Sequence, residues 1–453
     1  MHALIERAIN EFRSLDERTI MVVSHLDCDG LTSASIISRT LSRENKEFVL
    51  SIVKQIDEEL LKKLAIEKYN TIIFTDLGSG YINLIEKYLN QKKVFIFDHH
   101  NPENIKEFPN LIHVNPHLAK IEDASSKISG SGTTYLFCKT LNPKNKDLSY
   151  LAVIGCIGDI QGFDGLNKEI LEDAISEGKI IVKQGLKMFG SYTKPLTKLL
   201  QYSTDPYIPG VTGDEAGAYQ FLSELGINFI NEGKVKRVID LNEQELKILT
   251  TGIILKRLGS EKNPEDIFGN IYILNQESDD DLKDAREFST LLNCCGRLNK
   301  PSIGIGLCLN SSLFRDKAIE LLKKYRLELI KGLNWFHANK SRFVQGKKFI
   351  IVNAENNIRD TLIGTTIGIV AKSNLYDNEF VIIGMAYTLD NHIKISMRAC
   401  NHVDYDLSEI LGEIVRGYGE AGGHKQACGA SIPLEKEMEF LKRAEEVLNR
   451  KLY

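Results

Sequence analysis

Four short segments carry carboxylates and imidazoles at spacings that could do chemistry: SHLDCDG (His25, Asp27, Asp29), TDLG (Asp76), FDHH (Asp98, His99, His100) and GDIQG (Asp159). Carboxylate oxygens suit hard divalent cations, and imidazole moves the preference from calcium toward manganese, zinc or iron. A mixed Asp/His set suits manganese. Five Asp and three His are more ligands than one ion needs, which points to two ions about 3.5–4 Å apart that clamp the attacking and leaving oxygens of a phosphoryl group. Ions so placed also lower the pKa of a bound water toward neutrality. Hydrolysis of a phosphate ester is the expected reaction. In a strand, residues two apart point the same way, so His25, Asp27 and Asp29 would face one site, the last two sharing an ion and Cys28 pointing away.

Each cluster also has a plainer reading. DxDG is an ordinary solvated turn, and Asp76, following an apolar strand, is well placed to cap the next helix. An Asp-His-His run at the end of four apolar residues is harder to explain without a site, because three polar groups closing a buried strand need partners. SGSGTTY at 129–135 suits either a phosphate cradle at a helix start or simple Ser/Thr capping.

The elements that position these residues follow from hydrophobic periodicity. From residue 18 onward, β-branched runs alternate with helical stretches: TIMVVSH, a helix over 31–44, FVLSIV, a helix near 56–68, TIIFTDLG, a helix over 80–91, KVFIFDHH and LIHVNP. That alternation predicts an α/β fold with a parallel, doubly wound sheet, whose ligands gather at the carboxyl ends of the strands. Helices are expected at 133–141 and 148–158. Between about 200 and 345 the pattern is mostly helical, with DAREFSTLLNCC and 314–343 as the clearest cases. A second α/β series begins at KKFIIVNAE and continues through FVIIGMAY, HIKISMRA, a helix near 406–417, the glycine-rich GYGEAGGHKQACGAS and a closing helix over 434–450. The chain of 453 residues and 51.0 kDa exceeds what one core usually serves. It divides by sequence into 1–200, 201–343 and 344–453.

Composition bounds the function classes. The 43% hydrophobic and 26% charged fractions are those of a globular protein, and no apolar run approaches the ~20 residues that cross a bilayer. The charged amino terminus, MHALIERAINEFRSLDERT, lacks a signal-peptide stretch, so a cytoplasmic location is expected. Eight cysteines without CxxC spacing read as reduced thiols in cores. A net charge of −4 excludes a generally basic nucleic-acid coat and confines any such contact to a local groove.

With these motifs in this order, DxD, a lone Asp, DHH and a later Asp, the chain resembles the DHH phosphoesterase superfamily. The resemblance implies that Asp27, Asp29, Asp76, Asp98, His99, His100 and Asp159 form the family's metal-binding set, usually filled by manganese or magnesium, with Asp98, His99, His100 and Asp159 as the catalytic core. Bacterial RecJ tends to carry Asp where this chain has His25, which is taken as a further ligand. LLNCCGRLNKPSIGIGLCL resembles the NAAGR segment of RecJ nucleases and brings Arg297 toward the site, although Arg297 also suits a helix C-terminus. ISMR and GGHKQACGAS resemble the DHH-associated domain, a smaller α/β unit, and imply substrate phosphate contacts from Ser396, Arg398, Gly422, Gly423 and His424. Arginine offers a bidentate fork for phosphate, and glycine lets backbone amides approach it.

The implied function is exonucleolytic release of mononucleotides from single-stranded DNA or RNA held between the amino- and carboxy-terminal domains, in replication or repair. Archaeal RecJ-like nucleases also bind the GINS replication complex, which makes GINS a candidate partner. The rivals are a small phosphodiesterase acting on oligoribonucleotides, cyclic dinucleotides or bisphosphorylated nucleotides, and a non-catalytic replication scaffold.

Overall fold

The computed structural model describes the chain except residues 106–107, 204–205, 207, 259–263, 276–281, 311, 374, 377–378, 401–402, 404 and 453; for residues 125, 312, 420 and 424 it describes the backbone alone. The chain packs as two compact units, 1–194 with 268–322, and 195–267 with 323–453. The return of 268–322 to the first unit is a packing fact that sequence order does not announce.

In the first unit, strands β1 (Thr19–His25), β2 (Glu47–Val53), β3 (Thr71–Thr75), β4 (Lys93–Phe97) and β5 (Leu111–Val114) form a parallel sheet in the order β2-β1-β3-β4-β5. The doubly wound expectation holds, and it follows from the alternation within each strand. Ile20, Val22, Ile73, Phe95 and Phe97 face one apolar core, while Met21, Val23, Ile72, Phe74, Val94 and Ile96 face another. Burial on both faces is what makes central parallel strands read as continuous apolar runs. The first core is filled by α1 (His2–Arg13), α2 (Cys28–Arg43) and the helices Gly130–Leu141, Ser149–Gly158 and Ala285–Arg297. On the opposite face lie α3 (Glu58–Ile66) and α4 (Ile82–Leu89).

Two sequence expectations need correction here. β1 stops at His25, and α2 begins at Cys28 with Asp27 as its N-cap, the Gly30 N–H donating to Asp27 Oδ1 at 3.0 Å. Strand alternation therefore does not align His25, Asp27 and Asp29; a cap followed by a first helical turn does. The second correction concerns the middle of the chain, where Ile180–Leu186 pairs antiparallel with Phe268–Leu274. This two-stranded ribbon, whose strands lie far apart in sequence, is absent from a mostly helical reading.

In the second unit, β6 (Val344–Gln345), β7 (Phe349–Asn353), β8 (Val381–Tyr387), β9 (His392–Ala399), β10 (Glu420–His424) and β11 (Ala427–Pro433) form a sheet in the order β6-β7-β8-β9-β11-β10, antiparallel except for β7 with β8. The helices Leu407–Val415 and Glu437–Lys451 bury their apolar faces against the side of β9 that carries Ile393, Ile395 and Met397. On the opposite side, a Cβ at Gly364 of the helix Asp360–Ala371 would lie 2.9 Å from Ser396 Oγ and 3.2 Å from an Arg398 guanidinium nitrogen. That helix is not among the elements expected from sequence. No helix among the described residues is long and apolar enough to cross a membrane. All eight cysteines are buried and unbridged.

Candidate metal centre

The polar residues gather at the carboxyl ends of β1, β3 and β4, as an open α/β sheet requires. Asp76 follows β3 directly. Its backbone adopts φ +58°, a left-handed conformation that Asp tolerates better than most residues, and its N–H donates to the Phe97 carbonyl at 2.9 Å. The side chain is buried at 2% exposure, and neither carboxylate oxygen has a hydrogen-bond partner. Asp76 is therefore not a helix cap. A buried carboxylate left without donors is costly, and burial together with Asp29 and Asp27 pushes it well above the ordinary carboxyl range. Such a carboxylate is suited to a divalent cation.

Three overlapping triads surround it, each with ligand atoms within 4.8 Å of one another: His25, Asp27 and Asp76; Asp76, His99 and His100; and Asp29, His99 and Asp159. Asp76 and His99 are the shared members, with Nε2 of His99 3.6 Å from Asp76 Oδ1, 3.6 Å from Asp159 Oδ2 and 3.9 Å from Asp29 Oδ2. His25 Nδ1 lies 2.9 Å from Asp27 Oδ2 and 3.6 Å from Asp76 Oδ2. Burial opposes the charge on Asp27, but His25 and the Gly30 N–H outweigh it and hold the carboxyl below its ordinary value. At Asp159, burial and then Asp29 and Asp27 raise the carboxyl to about 8. This crowd of carboxylates and imidazoles in one buried pocket suits divalent cations.

Asp29 is fixed from across the unit. Its Oδ2 accepts the Gly130 N–H at 2.6 Å, and its Oδ1 accepts the Ser131 N–H at 3.0 Å and the Ser131 hydroxyl. These donors open the helix Gly130–Leu141, which Ser129 caps by accepting the Gly132 N–H at 3.0 Å. The SGSG segment thus caps its helix and gives the anion-binding start to an internal carboxylate. Bonds to a charged acceptor contribute about 1.5–3 kcal/mol each. Glycine is needed nearby: a Cβ at Gly130 would fall 2.4 Å from Asp76 Oδ1, and one at Gly155 2.5 Å from Asp29 Oδ1.

Asp98 belongs to none of the triads. It is fully buried; Oδ2 accepts the Ser79 N–H at 2.9 Å, while Oδ1 accepts the His99 N–H at 2.8 Å and lies 2.7 Å from Nδ1 of His100. Burial opposes its charge, yet His100 and these N–H groups hold it well below the ordinary range. For His100, burial opposes protonation, and the Asp98 carboxylate overcomes it, raising the imidazole to about 9. The geometry makes Asp98 the group that orients His100, rather than one that faces the shared centre. Beneath it, buried Asn115 donates from Nδ2 to the His100 carbonyl at 2.9 Å and to Ser79 Oγ at 2.8 Å, and Ser79 Oγ lies 2.9 Å from Nε2 of His113.

The NCCGR segment lies against the loop that carries Asp27. Asn293 Oδ1 accepts the Cys28 N–H at 3.0 Å, and Gly296 faces the Leu26 carbonyl so closely that a Cβ would fall 1.7 Å from its oxygen. Arg297 is the last residue of that helix. Sequence reasoning singled out Arg297 and missed Asn293, whose partner lies 265 residues away. Gln161, which donates to Asp159 Oδ2 at 2.7 Å, was visible only as part of the GDIQG segment.

Of the residues expected to contact substrate, Ser396, Arg398, Gly422, Gly423 and His424 belong to the second unit and Arg297 to the first. Ser396 stands opposite Gly429 and Gly422 across β9, β11 and β10, and Arg398 stands opposite Ala427 and His424. Ser396, Arg398 and Gly422 therefore share one face. Arg398 donates to the Met397 carbonyl at 2.9 Å and the Cys428 carbonyl at 3.1 Å. Gly423, at φ +132°, would bring a Cβ to 2.7 Å from Cys428 Cα. The side chain of His424 lies outside the described residues.

Comparisons with known proteins agree with this architecture. Family models match residues 19–157 (DHH family, N-terminal domain), 188–268 (DHH-CID domain) and 346–450 (DHHA1 domain). An uncharacterized protein of Methanocaldococcus jannaschii is 31% identical over 449 residues, covering 96% of this chain and 94% of that one. The fold resembles manganese-bound RecJ of Thermus thermophilus, with a TM-score of 0.60 and 16% identity over 99% of this chain, which spans 54% of that longer protein. It resembles a second manganese-bound exonuclease RecJ, with a TM-score of 0.59 and 16% identity over 99% of this chain and 94% of that one. CDC45 of Entamoeba histolytica gives a TM-score of 0.64 at 12% identity over 99% of both chains. The chain belongs to the DHH superfamily, and its fold is RecJ-like.

Proposed function

We propose that this chain is a divalent-metal-dependent exonuclease that hydrolyses phosphodiester bonds of single-stranded DNA or RNA to mononucleotides, in DNA replication or repair. The observation that carries the reading is the pair of shared residues, Asp76 and His99, at the junction of three ligand triads. The overlap suits two cations, manganese preferred and magnesium an alternative: one held by His25, Asp27 and Asp76, the other by Asp29, His99 and Asp159, with His100 beside them. When bound, such ions polarise the scissile phosphate and supply a nucleophile at neutral pH. The chain's own groups do the rest. Asp98 holds His100, which stands beside the site and can give a proton to the leaving oxygen. Arg297, Ser396, Arg398 and the Gly422-Gly423-His424 loop are the proposed phosphate contacts, with arginine supplying a planar fork.

A replication scaffold is the second reading, favoured by the fold likeness to CDC45, and under it GINS is a candidate partner. The ligand set speaks for the enzyme, because a scaffold has no need to keep Asp76 buried without donors.

The test is manganese-dependent digestion of end-labelled single-stranded DNA and RNA by wild type, His99→Ala and Arg398→Ala. Mononucleotide release that His99→Ala abolishes and Arg398→Ala weakens through KM is the expected result. Wild type inert on both strands, with dinucleotides cleaved instead, would move the reading to a small phosphodiesterase; wild type inert on every phosphodiester would move it to the scaffold.

A further inference from the structure

Gln161 sits where the helix Ser149–Gly158 ends. The turn is closed by the Ile160 N–H to the Ile157 carbonyl at 3.1 Å and the Gln161 N–H to the Cys156 carbonyl at 3.0 Å, with Ile160 at φ +58°. This reversal turns the side chains of Asp159 and Gln161 toward each other. Gln161 Nε2 donates to Asp159 Oδ2 at 2.7 Å and lies 3.2 Å from Nδ1 of His99. Behind it, buried Asn167 donates from Nδ2 to Gln161 Oε1 at 2.8 Å and to the Gly162 carbonyl at 3.2 Å. The Oδ1 of Asn167 is buried with no hydrogen-bond partner. One amide thus touches two of the three residues in the Asp29, His99 and Asp159 triad, and a second amide holds it in place.

We propose that Gln161, held by Asn167, is a positioning residue for that triad, and that its amide turns over when a cation enters. The inference rests on reading the triad as a metal site. With Nε2 of the amide toward Nδ1, the ring nitrogen Nδ1 accepts, and the imidazole proton sits on Nε2, the atom that faces Asp76, Asp159 and Asp29. A cation takes Nε2 only when that proton is carried on Nδ1 instead, and a metal-ligating histidine needs an acceptor for its other N–H. A half-turn of the Gln161 amide brings Oε1 to Nδ1–H and takes the donor from Asp159; because Oε1 then stands where Nε2 lay 2.7 Å from Asp159 Oδ2, that carboxylate turns away from it onto the cation. The same half-turn points Gln161 Nε2 at Asn167, which has an acceptor to offer in its unpartnered Oδ1. Turning Asn167 in step completes the chain at the expense of its longer bond to Gly162. One proton leaves Nε2 and one arrives at Nδ1, so the ring stays neutral throughout.

The test uses the full chain with ¹⁵N-labelled histidine, and identifies the His99 ring signals by their loss in His99→Gln. Two-bond ¹H–¹⁵N spectra are recorded metal-free and saturated with magnesium, which is diamagnetic. Manganese affinity is measured by calorimetry for wild type, Gln161→Leu and Gln161→Glu. The expected result is an Nε2–H ring in metal-free wild type and an Nδ1–H ring once loaded. Gln161→Leu should bind manganese about 10–100-fold more weakly. Gln161→Glu, whose carboxylate accepts from the ring, should show the Nδ1–H ring before any metal is added. An Nδ1–H ring in metal-free wild type, or wild-type affinity in Gln161→Leu, overturns the proposal while leaving the metal site standing. Failure of wild type to bind manganese removes the metal site and this inference together.

Discussion

Replacing Gly296 by alanine tests whether the NCCGR segment acts as a wedge behind the loop that carries Asp27 rather than only as the carrier of Arg297. An added Cβ would lie 1.7 Å from the Leu26 carbonyl oxygen and 2.8 Å from its carbon, where real Cβ atoms essentially never come closer than 3.0 Å. About 1.3 Å of separation must therefore open, the difference between those two oxygen distances. Both walls of the contact are main chain: a helix on one side and the residue before Asp27 on the other. No side chain can swing away to absorb it. The helix also holds the Cys28 N–H through Asn293 at 3.0 Å, so a shift of this size breaks that bond and moves the cap that carries Asp27. A misplacement of about 1 Å at a reacting centre costs on the order of 10²-fold in rate, and overpacking a filled interior costs about 1–3 kcal/mol. Gly296→Ala should lose about 10²-fold in kcat on a single-stranded oligonucleotide with manganese, bind manganese more weakly and melt at a lower temperature. Arg297→Ala should instead raise KM and leave manganese affinity alone. A Gly296→Ala protein with wild-type kcat and melting temperature would refute the reasoning, because the close approach to Leu26 would then have no consequence.

Other perturbations test the electrostatics and the backbone. Asp76→Asn removes a buried carboxylate that has no donors, so in the metal-free chain it should add about 1–3 kcal/mol of stability by urea denaturation, while abolishing the stabilisation that manganese gives wild type; a destabilised metal-free Asp76→Asn would contradict this. Because Asp159 is raised to about 8 and Asp76 is also raised, the metal-free fold keeps protons that the unfolded chain gives up in the ordinary carboxyl range. Its stability should accordingly fall as pH rises from about 4 toward 8, and manganese binding at pH 7 should release protons, seen as calorimetric heats that depend on the buffer's ionisation enthalpy. Buffer-independent heats would count against it. Ile160, a β-branched residue in left-handed conformation with 85% exposure, should gain about 1 kcal/mol on replacement by glycine, read as a rise of a few degrees in melting temperature; no rise would show that the turn is not strained.

How much of this was legible in the sequence depended on the range of the contact involved. Strand residues such as Phe95 and Phe97 announce themselves through period and β-branched neighbours, and the strand-end rule then places Asp76 and Asp98 to His100 without further help. The capping rule points to Asp76, yet it is Asp27 that caps α2, while the Asp76 carboxylate has no hydrogen-bond partner. In both positions an Asp follows an apolar run, and only the tertiary supply of donors distinguishes them. The helix Asp360–Ala371 has the sequence DTLIGTTIGIVA, whose threonines, isoleucines and glycines are poor local helix formers. Packing against the glycine at position 384 of β8, where an added Cβ would lie 2.8 Å from Ile363 and Ile367, outweighs that propensity. Partners separated by long stretches, such as Asp29 with Gly130 and Ser131 or Cys28 with Asn293, have no local signature at all. Yet they left a trace in residue type. Gly130, Gly155 and Gly296 sit in helices, where glycine is intrinsically costly by about 1 kcal/mol relative to alanine, and in each case an added Cβ would strike Asp76, Asp29 or the Leu26 carbonyl. A helical glycine that propensity cannot explain is thus a sign of close approach, and here all three such approaches converge on the carboxylates of one site.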